Sequence, residues 1–308
     1  MPIKRLTIIG VGLIGGSLAR ALKRARACAE IIGCDVTGAE KAVASGIIDS
    51  FYTEIGAAVK DAEMVVIAVP LGAMAGVFQQ LREYLDDHTI LTDVGSVKGQ
   101  VVEEARRFLG PHWPRFVPGH PVAGTEKSGI EASFAELFAG HRVILTPLAE
   151  TEVTAIERVT ELWEQAGARV ETMEVTRHDE VLAATSHLPH VLAYSLVQTL
   201  AKMEPAGAVF RFAAGGFADL TRIASSSPEL WHDIVFANRE SVLHLIERFQ
   251  QELGAVTEAI RTHDSHTLMD SFSRAKAVRD AFTAGRQHYP ARTVDRDRKA
   301  DDGLCRSR

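Results

Sequence analysis

Residues 6–35 read LTIIGVGLIGGSLARALKRARACAEIIGCD: a short apolar run, spaced glycines, a helical stretch, a second apolar run and a terminal acid. Leu6–Ile9 has the pattern of a buried strand, and Gly10, Gly12 and Gly15 stand as G-x-G-x-x-G at its turn into a helix. Gly10 permits the tight turn, Gly12 lets backbone approach a pyrophosphate, and Gly15 lets the helix pack closely on the strand. Leu13 and Ile14 fall in the first helical turn, where free N–H groups and the helix dipole favour an anion. Glycines in this spacing are weak evidence alone. Here a strand precedes them, an Ala/Leu/Arg-rich helix follows, and Asp35 closes IIGCD at the usual distance. A dinucleotide site formed by Gly10, Gly12, Leu13, Ile14, Gly15 and Asp35 is therefore expected. A carboxylate at Asp35 suits two ribose hydroxyls and repels a 2′-phosphate, and Val36 and Thr37 bring no arginine, so NAD is expected over NADP.

Lys4 and Arg5 before the apolar stretch Leu6–Ala19 superficially resemble a secretory signal, but cleavage there would remove the first strand and the phosphate loop. No run of 18 apolar residues stands elsewhere in the 308-residue chain. Cys28, Cys34 and Cys305 are odd in number and lack metal-ligand spacing, which fits a reducing compartment. A soluble cytoplasmic protein is expected. The 46% hydrophobic and 24% charged composition is that of an ordinary globular chain, and the net charge of −6 gives no support to nucleic-acid or anionic-membrane binding.

The first half alternates β-rich runs (64–70, 89–96, 115–121, 142–147, 168–173) with amphipathic stretches (74–85, 98–109, 152–166), the pattern of βαβ units and a mainly parallel sheet. After about residue 174 strand signals stop, and helical patterns cover 177–203, 207–225, 228–262 and 265–285. The expectation is an α/β, doubly wound Rossmann-type domain over 1–173, an all-α domain over 174–285, and a disordered polar tail over 286–308. Leu182, Leu188, Leu192, Leu196, Leu243, Ile246, Phe249 and Leu253 give the small helical domain enough apolar surface to bury part of it against a second copy.

Ligands of open α/β sheets bind beyond the carboxyl ends of strands. Val69 and Pro70 follow one strand and would pass beside the nicotinamide ribose. Ser96 follows the next and His120 a third. His120 reads as a general base, since an imidazole can take a hydroxyl proton while hydride leaves the same carbon, or as a satisfied loop histidine. Ser96 reads as a partner of that hydroxyl or of the imidazole, or as the N-cap of a helix over 97–109. His187 and His190 share a helical face beside Pro189, which is expected to kink the helix. This pair has no Asp, Glu or Cys at complementary metal-ligand spacing, and His263-Asp264-Ser265-His266 reads as a solvated turn between two helices, so no metal is expected. Arg222 reads as a carboxylate clamp or as a surface ion pair.

Five ordered blocks, GVGLIGGS (10–17), TDVGSVK (92–98), GHPVAGTEKSG (119–129), SHLPH (186–190) and GGFADLTRIASSSPELW (215–231), together resemble the prephenate/arogenate dehydrogenase family, nearly to residue 285. The resemblance implies an NAD-binding domain, a helical dimerisation domain and an active site in the cleft between them. It implies His120 as catalytic base, Ser96 as its orienting partner, and His190 and Arg222 on the substrate. Glu126 is implied as a gating residue and Trp231 as a site-lining residue near a dimer interface. Some relatives carry lysine where this chain has Ala218. The implied reaction is oxidative decarboxylation of prephenate, with arogenate or dual acceptance as the alternative. Other Rossmann-type hydroxyacid dehydrogenases usually rely on a catalytic lysine in the helical part, where only Lys202 and Lys276 occur. A non-catalytic NAD sensor would not require His120, His190 and Arg222.

Overall fold

The computed structural model describes residues 2–36, 40–125, 127–203 and 206–287. The dinucleotide stretch folds as β1 (Ile3–Ile9), α1 (Leu13–Ala25) and β2 (Cys28–Cys34). The chain continues through α2 (Glu40–Ala44), β3 (Ser50–Tyr52), α3 (Ile55–Val59), β4 (Met64–Ile67), α4 (Leu71–Leu81), β5 (Ile90–Asp93), α5 (Gly99–Phe108) and β6 (Phe116–Val117). These six strands form one parallel sheet in the order β3-β2-β1-β4-β5-β6. That is the doubly wound order, with its switch point between β1 and β4. Burial explains the uninterrupted apolar runs: Leu6 to Ile9 of β1 and all of β4 are shielded from solvent on both faces.

The run 115–121 is expected as one strand, and the structure divides it. Pro118 has no N–H to give a ladder, and the chain there leaves the parallel sheet. Gly119–Pro121 forms β7 of a second sheet, antiparallel to β8 (Arg142–Leu145), which pairs parallel with β9 (Arg169–Thr172). Between β8 and β9, α6 (Val153–Gln165) buries Trp163 edge-to-face against Phe138, ring centroids 5.2 Å apart.

Beyond β9 the described residues are helical: α7 (Val175–Leu182), α8 (Leu188–Ala201), α9 (Ala206–Arg211), α10 (Gly215–Thr221), α11 (Pro228–Ala237), α12 (Arg239–Arg261) and α13 (Ser265–Gln287). Glu174 caps α7 by accepting from the N–H groups of Thr176 and Arg177. Where a kink is expected at Pro189, the chain stays helical but widens into a π-helical turn over Ala183–His187, which leads into Pro189 in the first turn of α8. A proline in a first turn needs no N–H partner, and the wider turn before it relieves the ring's clash. Compact packing groups Met1–Glu258 into one unit and the residues from Ala259 onward into another. In that second unit the turn at residues 262–264 is closed by Asp264, whose carboxylate accepts from the N–H and hydroxyl of Thr267. The tail expected over 286–308 lies, from residue 288, outside the described residues.

Candidate active site

The glycines of the first loop act through space. Gly10 has φ +93°, and a Cβ there would lie 2.4 Å from the Ala68 carbonyl oxygen. A Cβ on Gly15 would lie 2.1 Å from the Gly10 carbonyl oxygen, so only glycine lets α1 seat this closely. At Gly12 a Cβ would meet nothing within 4 Å, leaving open space before the N-terminus of α1. That terminus has no side-chain cap and no acid in its first turn. An anion can therefore take its N–H groups. Asp35, at the end of β2, accepts from the Val11 N–H at 2.8 Å, which holds its carboxylate beside the loop. Open backbone, free N–H groups and a ribose-reading acid fit a dinucleotide pyrophosphate and adenosine ribose.

A cavity of about 680 Å³ opens at the switch point. Gly12, Leu13 and Ile14 line it from the loop, Val69 and Pro70 from the end of β4, and Ser96 from the end of β5. His120 enters from β7, and His187, His190, Arg222 and Trp231 close the helical side. Gly10, Gly15 and Asp35 are not in its lining; the two glycines act through the close approaches given above and Asp35 through its bond to the Val11 N–H. Glu126 lies outside the described residues.

His120 is buried and joined to two residues that the sequence reading passed over. Its Nδ1 lies 2.9 Å from Nε2 of His178, and Nδ1 of His178 lies 2.8 Å from Oδ1 of Asp179. Burial works to raise the Asp179 carboxyl, yet bonds from His178 and from the Lys98 and Gly99 N–H groups hold it below its ordinary value. With Asp179 anionic, one proton arrangement satisfies the chain. His178 gives its Nδ1–H to the carboxylate, His120 gives its Nδ1–H to His178, and Nε2 of His120 keeps a lone pair. Burial first, and then the neighbouring His178, Lys98 and His187, pushes the His120 pKa well below its ordinary value. This ring is a neutral acceptor at physiological pH.

Two expectations for Ser96 change here. The Nδ1 side of His120 is occupied by His178. The helix after Ser96 begins at Gly99, and its cap comes from Asp179, whose two carboxylate oxygens each accept at 2.8 Å from the N–H groups of Lys98 and Gly99. Ser96 lines the cavity and caps nothing.

On the helical side His190 stacks on Trp231 with ring centroids 3.5 Å apart, and His187 meets the same indole edge-on at 6.1 Å. The shared face of the two histidines thus grips an aromatic ring. His190 Nδ1 donates to the Ser186 carbonyl at 2.8 Å, and burial lowers its pKa. Burial pushes His187 down to about 4. Asn238, between α11 and α12, donates to the Asp179 carbonyl at 2.7 Å and sits 3.2 Å from Nδ1 of His187. That bond leaves His187 its proton on Nε2. No group of three or more His, Cys, Asp or Glu side chains among the described residues is arranged to hold a metal ion.

A dinucleotide loop and a buried neutral histidine facing one cavity define a nicotinamide-dependent dehydrogenase. A family model described as the prephenate dehydrogenase nucleotide-binding domain matches residues 18–172, and one described as the prephenate dehydrogenase dimerization domain matches 174–274. The chain is 39% identical over 282 residues to a prephenate dehydrogenase of Bacillus subtilis, covering 90% of this chain and 76% of that protein. It is 38% identical over 285 residues to a cyclohexadienyl dehydrogenase of Zymomonas mobilis, covering 91% and 96%. A crystal structure of prephenate dehydrogenase from Aquifex aeolicus, in complex with hydroxyphenyl propionate and NAD+, superposes with a TM-score of 0.85 at 37% identity, covering 92% of this chain and 99% of that one. The chain belongs to the prephenate dehydrogenase family. It is an NAD-dependent oxidoreductase.

Proposed function

We propose that this chain catalyses the oxidative decarboxylation of prephenate to 4-hydroxyphenylpyruvate in tyrosine biosynthesis, with His120 as the base. The observation that carries the reading is the buried His120 ring, its Nε2 lone pair left free by the His178–Asp179 chain, on the wall of the cavity that the dinucleotide loop also lines. When bound, NAD supplies the hydride acceptor. His120 takes the proton of the ring hydroxyl as hydride leaves the same carbon. The bond from ring to carboxylate then breaks, carbon dioxide departs, and the bonding pair makes the ring aromatic. The phenolate oxygen recovers the proton from His120, so no proton is released overall. His178 and Asp179 stabilise the imidazolium while the proton is held, as the buried acid of a catalytic triad does.

Ser96, which lines the same cavity, is assigned to the substrate hydroxyl. Arg222 is assigned to a substrate carboxylate, a task suited to a planar, permanently charged guanidinium, and His190, whose Nδ1–H is committed to the Ser186 carbonyl, lines the substrate side with an acceptor Nε2. Trp231, held by its stack on His190, gives the cavity an aromatic wall, and Glu126, outside the described residues, is assigned a gating role by the family resemblance alone. The test is to mix pure protein with NAD and prephenate and follow the reduced-cofactor absorbance. Steady growth is expected, and its absence at saturating NAD overturns the assignment. The Zymomonas relative's name favours a second reading, in which arogenate is also accepted, and kcat/KM for the two substrates separates the cases.

We assign the domains as 1–173 for cofactor and 174–285 for substrate and dimerisation, and the location as cytoplasmic. No helix among the described residues is long and apolar enough to cross a membrane. A homodimer through the helical domain is supported by the dimerization-domain match and by Phe236, Leu243, Phe249 and Leu253, which stand exposed on α11 and α12. Analytical ultracentrifugation should give twice the chain mass, and Phe249→Glu/Leu253→Glu should shift it toward one.

A further inference from the structure

Lys98 has no part in the reaction as derived, yet it is fully buried beside the base. A buried ammonium is costly unless hydrogen bonds and an opposite charge replace its water. Nζ meets Oδ2 of the equally buried Asp93 at 2.5 Å and the Gly119 carbonyl oxygen at 2.6 Å. Asp93 in turn accepts from the Gly119 N–H through Oδ1 at 3.1 Å and from the Gly95 N–H through Oδ2 at 2.7 Å.

Gly119 immediately precedes His120 at the point where the chain leaves one sheet for the other. The ladder to β8 is made on either side of it: Thr146 N–H donates to the Pro118 carbonyl and Val122 N–H to the Arg142 carbonyl. The N–H and carbonyl of Gly119 both go to the ion pair instead. A Cβ at Gly119 would lie 3.0 Å from the Asp93 carbonyl oxygen, so the approach is tight as well as bonded. The backbone N–H of Lys98, meanwhile, binds Oδ1 of Asp179, the oxygen that also receives His178. One residue therefore touches both ends of the chain that prepares His120.

We propose that Lys98 is a positioning residue for His120, its ammonium group fixing the backbone that carries the base while its own N–H fixes the carboxylate that orients it. The proposal rests on His120 being the base. Lys98, its pKa lowered by burial but its charge supported by the paired Asp93, also faces His120 as a cation, while the uncharged rings of His178 and His187 face it from the helical layer with Asp179 as the anion behind them. Its charge opposes protonation of the ring.

The test compares Lys98→Met with Asp93→Asn/Lys98→Met, which leaves no unpaired buried charge. In Lys98→Met, kcat should fall roughly 10- to 100-fold, the scale on which misplacing a catalytic group is felt, with KM for NAD nearly unchanged. The acid limb of the kcat/KM profile should move to higher pH, because a cation that opposed protonation has gone and an anion that favours it is exposed to the ring. In the double variant that limb should move part of the way back while kcat stays low. Nitrogen NMR of the His120 ring, without substrate, should show a single Nδ1–H form in the parent and a mixture in both variants. Folded variants with the parent's kcat, or with lowered kcat but an unmoved acid limb and unchanged ring tautomer, overturn the proposal. If Lys98→Met fails to fold, the double variant decides by kcat and tautomer. A parent inactive on prephenate overturns the functional reading alone, and the NMR comparison still decides the role of Lys98.

Discussion

A buried imidazole serves as a base only if its proton sits on the nitrogen facing away from substrate, and at His120 that condition is set by His178 and Asp179. His120→Asn keeps a polar side chain of similar reach but cannot hold the transferred proton. Steady-state kinetics should show kcat lowered by about 10²–10⁴-fold with little change in KM, the usual range for losing a general base. Arg222→Ala should act the other way. A charge-assisted bond of about 1.5–3 kcal/mol is lost from binding, so KM should rise roughly 10- to 100-fold with kcat better preserved. His120, Ser96 and Arg222 were legible in the sequence as candidates from their local setting, His190 and Trp231 through the family resemblance of their blocks, and the structure gathers all five around one cavity. His178 was not legible. It stands 58 residues from His120 and meets it only after the sheet and helices pack, so no spacing along the chain announces it.

Elements borrow their ends from one another in this fold. The N-terminus of α5 takes its cap from Asp179, across 80 residues of chain, and the same carboxylate holds His178. Asp179→Ala therefore removes two things at once. The lost cap should cost about 1–2 kcal/mol of stability, read as a lowered Tm, and the untied His178 should lower kcat beyond what loss of folded protein explains. Activity per folded molecule equal to the parent's would show that the relay is idle. Strand, glycine turn and helix in residues 6–35 were legible as local pattern, as was the change to helices after residue 174. The split of 115–121 between two sheets was not, because it depends on Pro118 meeting β8 rather than on the run's own apolar character. Nor was the π-helical turn, which answers to Pro189 only within a packed helix.

At the scale of the molecule, the parallel order of six strands brings the ends of β1, β4 and β5 to one edge, and the helices after residue 174 wall that edge with histidines. Burying them neutral couples stability to acidity. The His187 ring, with an ordinary value of 6.5, is pushed down to about 4 by burial, and His120 is also pushed well down. Below about pH 6.5 the unfolded chain takes up protons at these positions while the folded chain does not, so unfolding is favoured progressively as pH falls. The His187 shift alone is worth of order 3 kcal/mol, fully lost once pH has dropped through about 4, and His120 adds loss of the same sign. Asp179 extends the effect to lower pH, since its stabilising bonds require the carboxylate and vanish when its lowered folded pKa is crossed. Thermal unfolding followed from pH 7.5 to pH 4 should therefore show Tm falling steadily. In His187→Phe, which keeps an aromatic ring against Trp231 without a titrating group, the slope between pH 6.5 and 4 should be shallower. Equal slopes in the two proteins would mean that His187 is charged in the folded state. In that case Asn238 could not be donating to its Nδ1, contrary to the 3.2 Å contact between them.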